Sequence, residues 1–172
     1  RKPIEPAIID MSACAGGTTV ENSIENLWLR MKVKLREALE KFSDSIGCSG
    51  LNALASRLKK DGYRSYTWQR MKRILADTVA EEIIYLLGPE NVRGIFYADL
   101  HGGEPVNVGE IGGKDIDIIL WLDEKIVVKE KLLERKLEER TSRILEQLLG
   151  EDIRKTLNIP NLVELHIVKN LE

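Results

Sequence analysis

Cysteine, histidine and aromatic residues are scarce in this chain of 172 residues, and their scarcity excludes several classes of protein. The two cysteines, Cys14 and Cys48, lie far apart and form no Cys-x-x-Cys pair, and the two histidines complete no zinc-finger spacing. A disulfide-stapled domain and a zinc finger are therefore excluded. We expect Cys14 and Cys48 to be separate reduced thiols.

Long apolar runs are also missing. No stretch approaches the ~18 apolar residues of a membrane span, and the first residues contain no apolar signal-peptide core. We therefore expect a cytoplasmic protein that makes no membrane contact. The chain does have a globular composition, with 43% apolar and 31% charged residues, which is enough for a self-sufficient core.

The net charge of −2 conceals an uneven distribution of charged residues along the chain. Residues 20–88 contain 12 basic and 9 acidic residues, whereas residues 89–172 contain 12 basic and 17 acidic ones. The basic excess is concentrated in residues 57–73, where the only acid is Asp61. One half of the protein is therefore expected to carry a basic patch, and the other half to collect carboxylates.

Apolar residues at three- and four-residue steps predict helices in the first half of the chain. The periodicity indicates long helices over residues 20–46 and 67–87, with a short helix over residues 51–60 between them. Thr18 and Thr67 are the predicted N-caps of the two long helices, and Trp68 lies on the apolar stripe of the second. We therefore expect Trp68 in the core.

The second half alternates strands with helices. Residues 92–98, 115–122 and 162–168 are rich in β-branched and apolar residues and predict three strands, while residues 99–114 form a glycine-rich loop. Residues 127–149 predict a long helix. Its charged residues look like i,i+4 ion pairs on an exposed face, and the acids among them are Glu130, Glu134, Glu138 and Glu139.

The predicted fold class is α+β, a small mixed sheet with flanking helices preceded by an N-terminal helical segment. Residues 1–66 are predicted to form an arm and helical extension, and residues 67–172 the α/β domain. The long helices over residues 20–46 and 127–149 also allow a different interpretation, in which they pair between subunits of a homo-oligomer.

Asp115 and Asp117 are the strongest candidates for chemistry. Alternate residues of a strand project to the same side, so these carboxylates are expected about 7 Å apart at the backbone. Mg²⁺ or Mn²⁺ would relieve their repulsion and keep positions open for phosphate. Glu164 is an acid inside an otherwise apolar strand and is the candidate third ligand, with His166 on the same strand face to orient it. The alternative is that both aspartates only begin an exposed strand end.

The order of these features resembles the DNA-polymerase-beta-like nucleotidyltransferase superfamily, especially its small members. In that family a strand ends in Gly-Gly or Gly-Ser, and about a dozen residues later Asp-hydrophobic-Asp opens the next strand. Gly102-Gly103 matches the first block, and residues 113–119, Gly-Lys-Asp-Ile-Asp-Ile-Ile, match the second. The resemblance covers residues 67–168 and leaves the residues before 67 outside.

The resemblance implies a reaction and a set of site residues. The reaction would transfer a nucleoside monophosphate from an NTP to an acceptor hydroxyl, with Mg²⁺ or Mn²⁺ as cofactor. The implied catalytic and metal-binding residues are Asp115, Asp117 and Glu164, and the implied nucleotide-binding residues are Gly102, Gly103 and Lys114.

Departures from the family pattern favour a second hypothesis. The serine that often follows the loop glycine is absent, Glu104 and Glu110 make the loop acidic, and Glu164 stands where aspartate is commoner. These differences would fit a catalytically inactive nucleotidyltransferase-fold protein that serves as a nucleic-acid- or protein-binding module.

The basic segment, residues 57–73, is the candidate nucleic-acid contact. It interleaves three aromatic residues with seven cations, and cations neutralise phosphates while aromatic rings stack on unpaired bases. Arg64, Arg70 and Arg73 are the residues we expect to contact phosphate. The alternative is a solvated helix face with no ligand.

Overall fold

Five helices and a three-stranded sheet make up most of the described residues, which are 8–9, 19–62, 65–98, 115–157 and 162–169 of this computed structural model. The helices are α1 (Thr19–Ser45), α2 (Leu51–Asp61), α3 (Tyr66–Leu87), α4 (Glu130–Leu149) and α5 (Asp152–Leu157). The strands are β1 (Ile8–Ile9), β2 (Val92–Ala98), β3 (Ile116–Leu122), β4 (Val127–Val128) and β5 (Val163–Val168). The predicted α+β class, with a helix before a small mixed sheet, is confirmed.

The main sheet has the order β2-β3-β5, with β2 antiparallel and β5 parallel to the central strand. Side chains of β3 alternate between its two faces, as a pleated strand requires. One face is fully apolar and buried, and α3 packs against β2 and β3. The four β3 residues on this apolar face are Ile116, Ile118, Leu120 and Leu122. The polar residues of β3 therefore lie on the opposite face.

One hydrophobic core joins the helices to the sheet. Met31, Leu35 and Leu39 of α1 are completely buried in the same cluster as the apolar face of β3. Trp68 is also fully buried, as predicted, and its indole N–H donates to the carbonyl of Leu58 at 2.6 Å. The core is thus continuous across residue 66, the boundary that the sequence suggested.

The start of α3 corrects the predicted N-cap. Ser65, not Thr67, is the cap: its backbone is extended and its hydroxyl accepts the backbone N–H of Trp68 at 3.2 Å. Thr67 instead lies inside the first turn, where its hydroxyl donates to Asp61 at 2.7 Å. At the other end, Gly88 (φ 89°) occupies the left-handed region, and its N–H donates the last hydrogen bond of the helix to the carbonyl of Ile84.

The predicted helix over residues 127–149 is wrong in its first three residues. Val127 and Val128 form β4, which pairs in parallel with Ile8 and Ile9, and α4 begins at Glu130. Two adjacent β-branched residues prefer an extended backbone when a partner strand is present.

Thr18, the other predicted cap, lies outside the described residues. Among the helices of the described residues, none is both long and apolar enough to cross a membrane.

Candidate metal centre

The parallel pairing of β3 with β5 brings three potential metal ligands to one face of the sheet. Asp117 is paired with Glu164, and the next residue on the same face of β3, Ile119, is paired with His166. Because paired residues on adjacent strands project to the same side, Asp117, Glu164 and His166 share the face opposite the helices. The sheet register alone therefore assembles a two-carboxylate, one-imidazole cluster.

The ligand atoms of this cluster are close enough to hold one ion. One donor atom from each of the three residues lies within 4.8 Å of the others. His166 Nε2 is 3.8 Å from Asp117 Oδ1 and 4.0 Å from Glu164 Oε2. The Asp117 side chain is 1% exposed, whereas those of Glu164 and His166 are 25% and 39% exposed. The cluster thus has a buried base and a solvent-accessible side.

His166 Nε2 makes no hydrogen bond, although this atom itself is buried. Its distances to the two carboxylates are too long for hydrogen bonds, because N–H···O bonds have donor–acceptor distances of up to about 3.2 Å. Buried polar atoms are normally paired, so such a nitrogen points to a missing ligand. Two carboxylates and an imidazole form a donor set that suits a divalent cation, and the residues present therefore fit a metal.

The predicted site residues do not all join the cluster. Asp117 and Glu164 do, whereas Asp115 precedes the first residue of β3 and is not one of the three grouped residues. Gly102, Gly103 and Lys114 lie outside the described residues. His166 was expected only to orient Glu164. Its two-residue spacing from Glu164 was the available signal for a ligand role.

Strand β5 is held in place by two glutamates of α4. Glu138 accepts the backbone N–H of Leu165 at 2.9 Å, and Glu134 accepts that of Ile167 at 2.8 Å. Both N–H groups point away from β3, along the edge of the sheet that β5 forms. The prediction that these glutamates form exposed i,i+4 pairs is therefore wrong. They fix the backbone on both sides of His166.

Several cations of the basic segment are engaged in contacts within the protein. Arg57 pairs with Asp61 at 2.8 Å, and Lys59 pairs with Asp152. The hydrogen bond from the Thr67 hydroxyl and the Arg57 guanidinium hold the pKa of Asp61 below its ordinary value. The Arg57–Asp61 pair lies within α2, and the Lys59–Asp152 pair links α2 to α5. Both pairs leave less of the segment's charge for an external ligand.

The three predicted phosphate contacts differ in their surroundings. Arg70 is exposed on α3, and Arg73 pairs with Asp77 and lies 4.9 Å from the centre of the Tyr97 ring. Arg64 lies outside the described residues. Nucleic-acid binding by this segment stays a prediction.

Comparisons with known proteins do not identify a relative: no protein-family model, curated protein or solved structure matched the chain. The geometry of the cluster and the chemistry of its residues are therefore the basis for a functional argument.

Proposed function

We propose that this protein is a divalent-metal-dependent nucleotidyltransferase that transfers a nucleoside monophosphate from an NTP to an acceptor hydroxyl. The observation that supports it is the register of β3 with β5, which sets Asp117 beside Glu164 on adjacent parallel strands. Carboxylates that converge on one sheet face can hold the cation on which metal-assisted phosphoryl transfer depends. The Asp-x-Asp sequence at the start of β3 and the preceding Gly102-Gly103 agree with this chemistry.

The roles of Asp117 and Glu164 follow from their positions, and those of the other residues follow from the sequence resemblance. Asp117, buried at the base of the cluster, and Glu164, nearer solvent, would hold the metal from two strands. Asp115, at the entrance to β3, would contact the cation that accompanies the nucleotide. Gly102, Gly103 and Lys114 would bind the triphosphate. When bound, the cation neutralises phosphate oxygens and favours in-line displacement.

The proposal is tested by thermal unfolding with Mg²⁺ or Mn²⁺ and each NTP. At a ligand concentration of 100 Kd, binding stabilises the fold by about 2.7 kcal/mol, which raises Tm by about 5–10 °C for a chain of this size. Asp117→Asn should lose most of that shift, because a neutral amide replaces a charged ligand.

The matched control is Asp44→Asn, which makes the same chemical change at an exposed position near the end of α1. It should keep the full metal-dependent shift. If Asp117→Asn also keeps it, the assignment of the site is wrong. If Asp117→Asn loses the shift, pyrophosphate release is measured next. Release from the stabilising NTP by the unmodified protein, and not by Asp117→Asn, would show turnover in addition to binding.

A second candidate function is a catalytically inactive protein of the same fold that binds nucleic acid or a protein partner. The position of Asp115 outside the three-residue cluster favours it, because two-metal transfer needs its carboxylates to converge. This candidate requires binding of nucleic acid or of a protein partner in the presence of EDTA, and no pyrophosphate release under any metal condition. Metal-dependent pyrophosphate release by the unmodified protein would exclude it.

A further inference from the structure

We infer that His166 is the third ligand of this centre and that the centre therefore takes a first-row transition-metal ion, such as Mn²⁺, in preference to Mg²⁺. The inference rests on the metal site of the proposed function, and it adds which class of ion that site selects.

The position of the His166 ring nitrogen is the first argument. Nε2 is buried and makes no hydrogen bond, and it lies 3.8 Å and 4.0 Å from one oxygen of each carboxylate. A direct imidazolium–carboxylate hydrogen bond would bring these atoms to about 2.7–2.9 Å. The nitrogen is thus aimed at both acids while bonded to neither.

The spacing of the three donor atoms is the second argument. Two ligands of one ion, each at about 2.0–2.2 Å from it, lie about 3.0–4.2 Å apart depending on the angle between them. Both distances from His166 Nε2 fall inside that range. One ion bound between Asp117, Glu164 and His166 therefore satisfies the nitrogen with little movement of the strands.

The chemistry of the donor set gives the selectivity. Mg²⁺ demands oxygen ligands in near-ideal octahedral geometry, so an imidazole adds little to its affinity. Transition-metal ions accept imidazole nitrogen readily, and Mn²⁺ also accepts carboxylates. Asp117 and Glu164 serve either kind of ion, whereas His166 contributes to one kind only.

The support of β5 by α4 makes the ligand arrangement stiff. The hydrogen bonds to Leu165 N and Ile167 N hold the backbone on each side of His166. A fixed backbone keeps the Cα atoms of Glu164 and His166 at a constant distance from Asp117, so the three donor atoms can meet one ion of the required radius. Position and rigidity therefore favour the same ion.

The experiment is calorimetric titration of the whole chain with Mn²⁺ alone and with Mg²⁺ alone. Mn²⁺ is the suitable probe because it binds carboxylate and imidazole and has little affinity for thiols such as Cys48. We expect the unmodified protein to bind Mn²⁺ at least about tenfold more tightly than Mg²⁺. His166→Gln should weaken Mn²⁺ binding by about tenfold or more and change Mg²⁺ binding by less than about threefold.

Val168→Thr is the matched control, because it lies on the same face of β5, two residues beyond His166, and supplies no ligand to the cluster. It should leave both affinities unchanged. Electron spin-echo spectroscopy of Mn²⁺ bound to the unmodified protein gives a second readout, since a coordinated imidazole imposes nitrogen modulation on the signal. This readout remains if His166→Gln fails to fold.

The failures are distinguishable. Equal affinities for the two ions, no nitrogen modulation and dependence on Asp117 but not on His166 would overturn the inference and leave the proposed function standing. Absence of any saturable divalent binding would overturn both. Nitrogen modulation together with loss of Mn²⁺ preference in His166→Gln would establish the inference.

Discussion

At the scale of single residues, Tyr97 shows how burial and hydrogen bonding determine ionisation. Its hydroxyl donates to Asp77 Oδ1 at 2.8 Å, and Arg73 lies over its ring. Burial raises the pKa of Tyr97, the hydrogen bond to Asp77 raises it further, and Arg73 opposes both effects. The neutral hydroxyl is therefore the form that stabilises the contact between α3 and β2.

This contact predicts loss of stability in alkali. An unfolded tyrosine ionises near pH 10 and folded Tyr97 ionises above that, so the free energy of unfolding should fall as pH rises past about 10. Urea denaturation between pH 9 and pH 11 measures the slope. Tyr97→Phe removes the titrating group and should flatten the slope by up to one proton. An identical slope in Tyr97→Phe would contradict the assignment.

Two of the three residues of the candidate metal centre could be predicted from the sequence. Asp117 stood out in an Asp-x-Asp pattern, and Glu164 as the acid of an apolar strand. The ligand role of His166 depends on which residues of β3 and β5 are paired, and pairing register is a tertiary property. Asp115 satisfied the same alternation rule, but β3 starts one residue after it, so strand geometry does not fix its direction.

At the scale of elements, α4 does more than cover the sheet. Glu134 and Glu138 occupy positions four residues apart, a spacing that in sequence looks like a solvent-exposed charged face. In the structure both carboxylates reach the outer edge of β5 and accept backbone N–H groups. Sequence periodicity cannot distinguish the two arrangements, because the acceptor belongs to the helix and the donor to a distant strand. Strand β4 was missed for a similar reason, since it forms by pairing with the distant strand β1.

The support of β5 predicts a difference between two substitutions at one position. Glu138→Gln keeps an acceptor oxygen for Leu165 N–H, whereas Glu138→Leu leaves that N–H unpaired and should cost about 1–3 kcal/mol. Chemical denaturation measures the cost, and hydrogen exchange at the Leu165 amide localises it. Glu138→Leu should also weaken Mn²⁺ binding, because β5 carries two of the proposed ligands.

Glu139→Leu is the control for this pair. It lies next to Glu138 on α4, but its carboxylate is exposed and pairs only with Arg143 among the contacts described. It should change stability by no more than about 0.5 kcal/mol. A similar loss in Glu138→Leu and Glu139→Leu would show that the edge contact has no special importance.

At the scale of the whole molecule, the fold class could be predicted from periodicity, whereas the packing of the first helix into the core of the sheet could not. Helix and strand patterns depend on local spacing, which the sequence contains. The burial of α1 in the same core as the sheet depends on packing between distant segments. Leu29 and Val33 are exposed one turn apart on α1. Light scattering of the unmodified protein and of a variant substituted at these two positions would test the predicted homo-oligomer.

The uneven charge of the molecule predicts how nucleic acid would bind. Changing Arg64, Arg70 and Arg73 to Ala should weaken binding and flatten its dependence on salt by up to ~3 phosphate contacts. The control changes Lys125, Arg135 and Arg143, which carry the same charge elsewhere and are exposed. Fluorescence anisotropy over a range of salt concentrations measures both variants. Equal slopes would mean that the basic segment only faces solvent.

The carboxylates on the outer edge of β5 have a consequence for aggregation. A sheet edge with bare N–H groups is a template for strands of other chains, and proteins that leave one uncovered tend to polymerise. Here two outward N–H groups of β5 are already occupied, so a foreign strand must displace Glu134 and Glu138 before it can add. Within the described part of the chain β2 pairs only with β3, and fibril growth seeded by the native sheet should therefore start from β2.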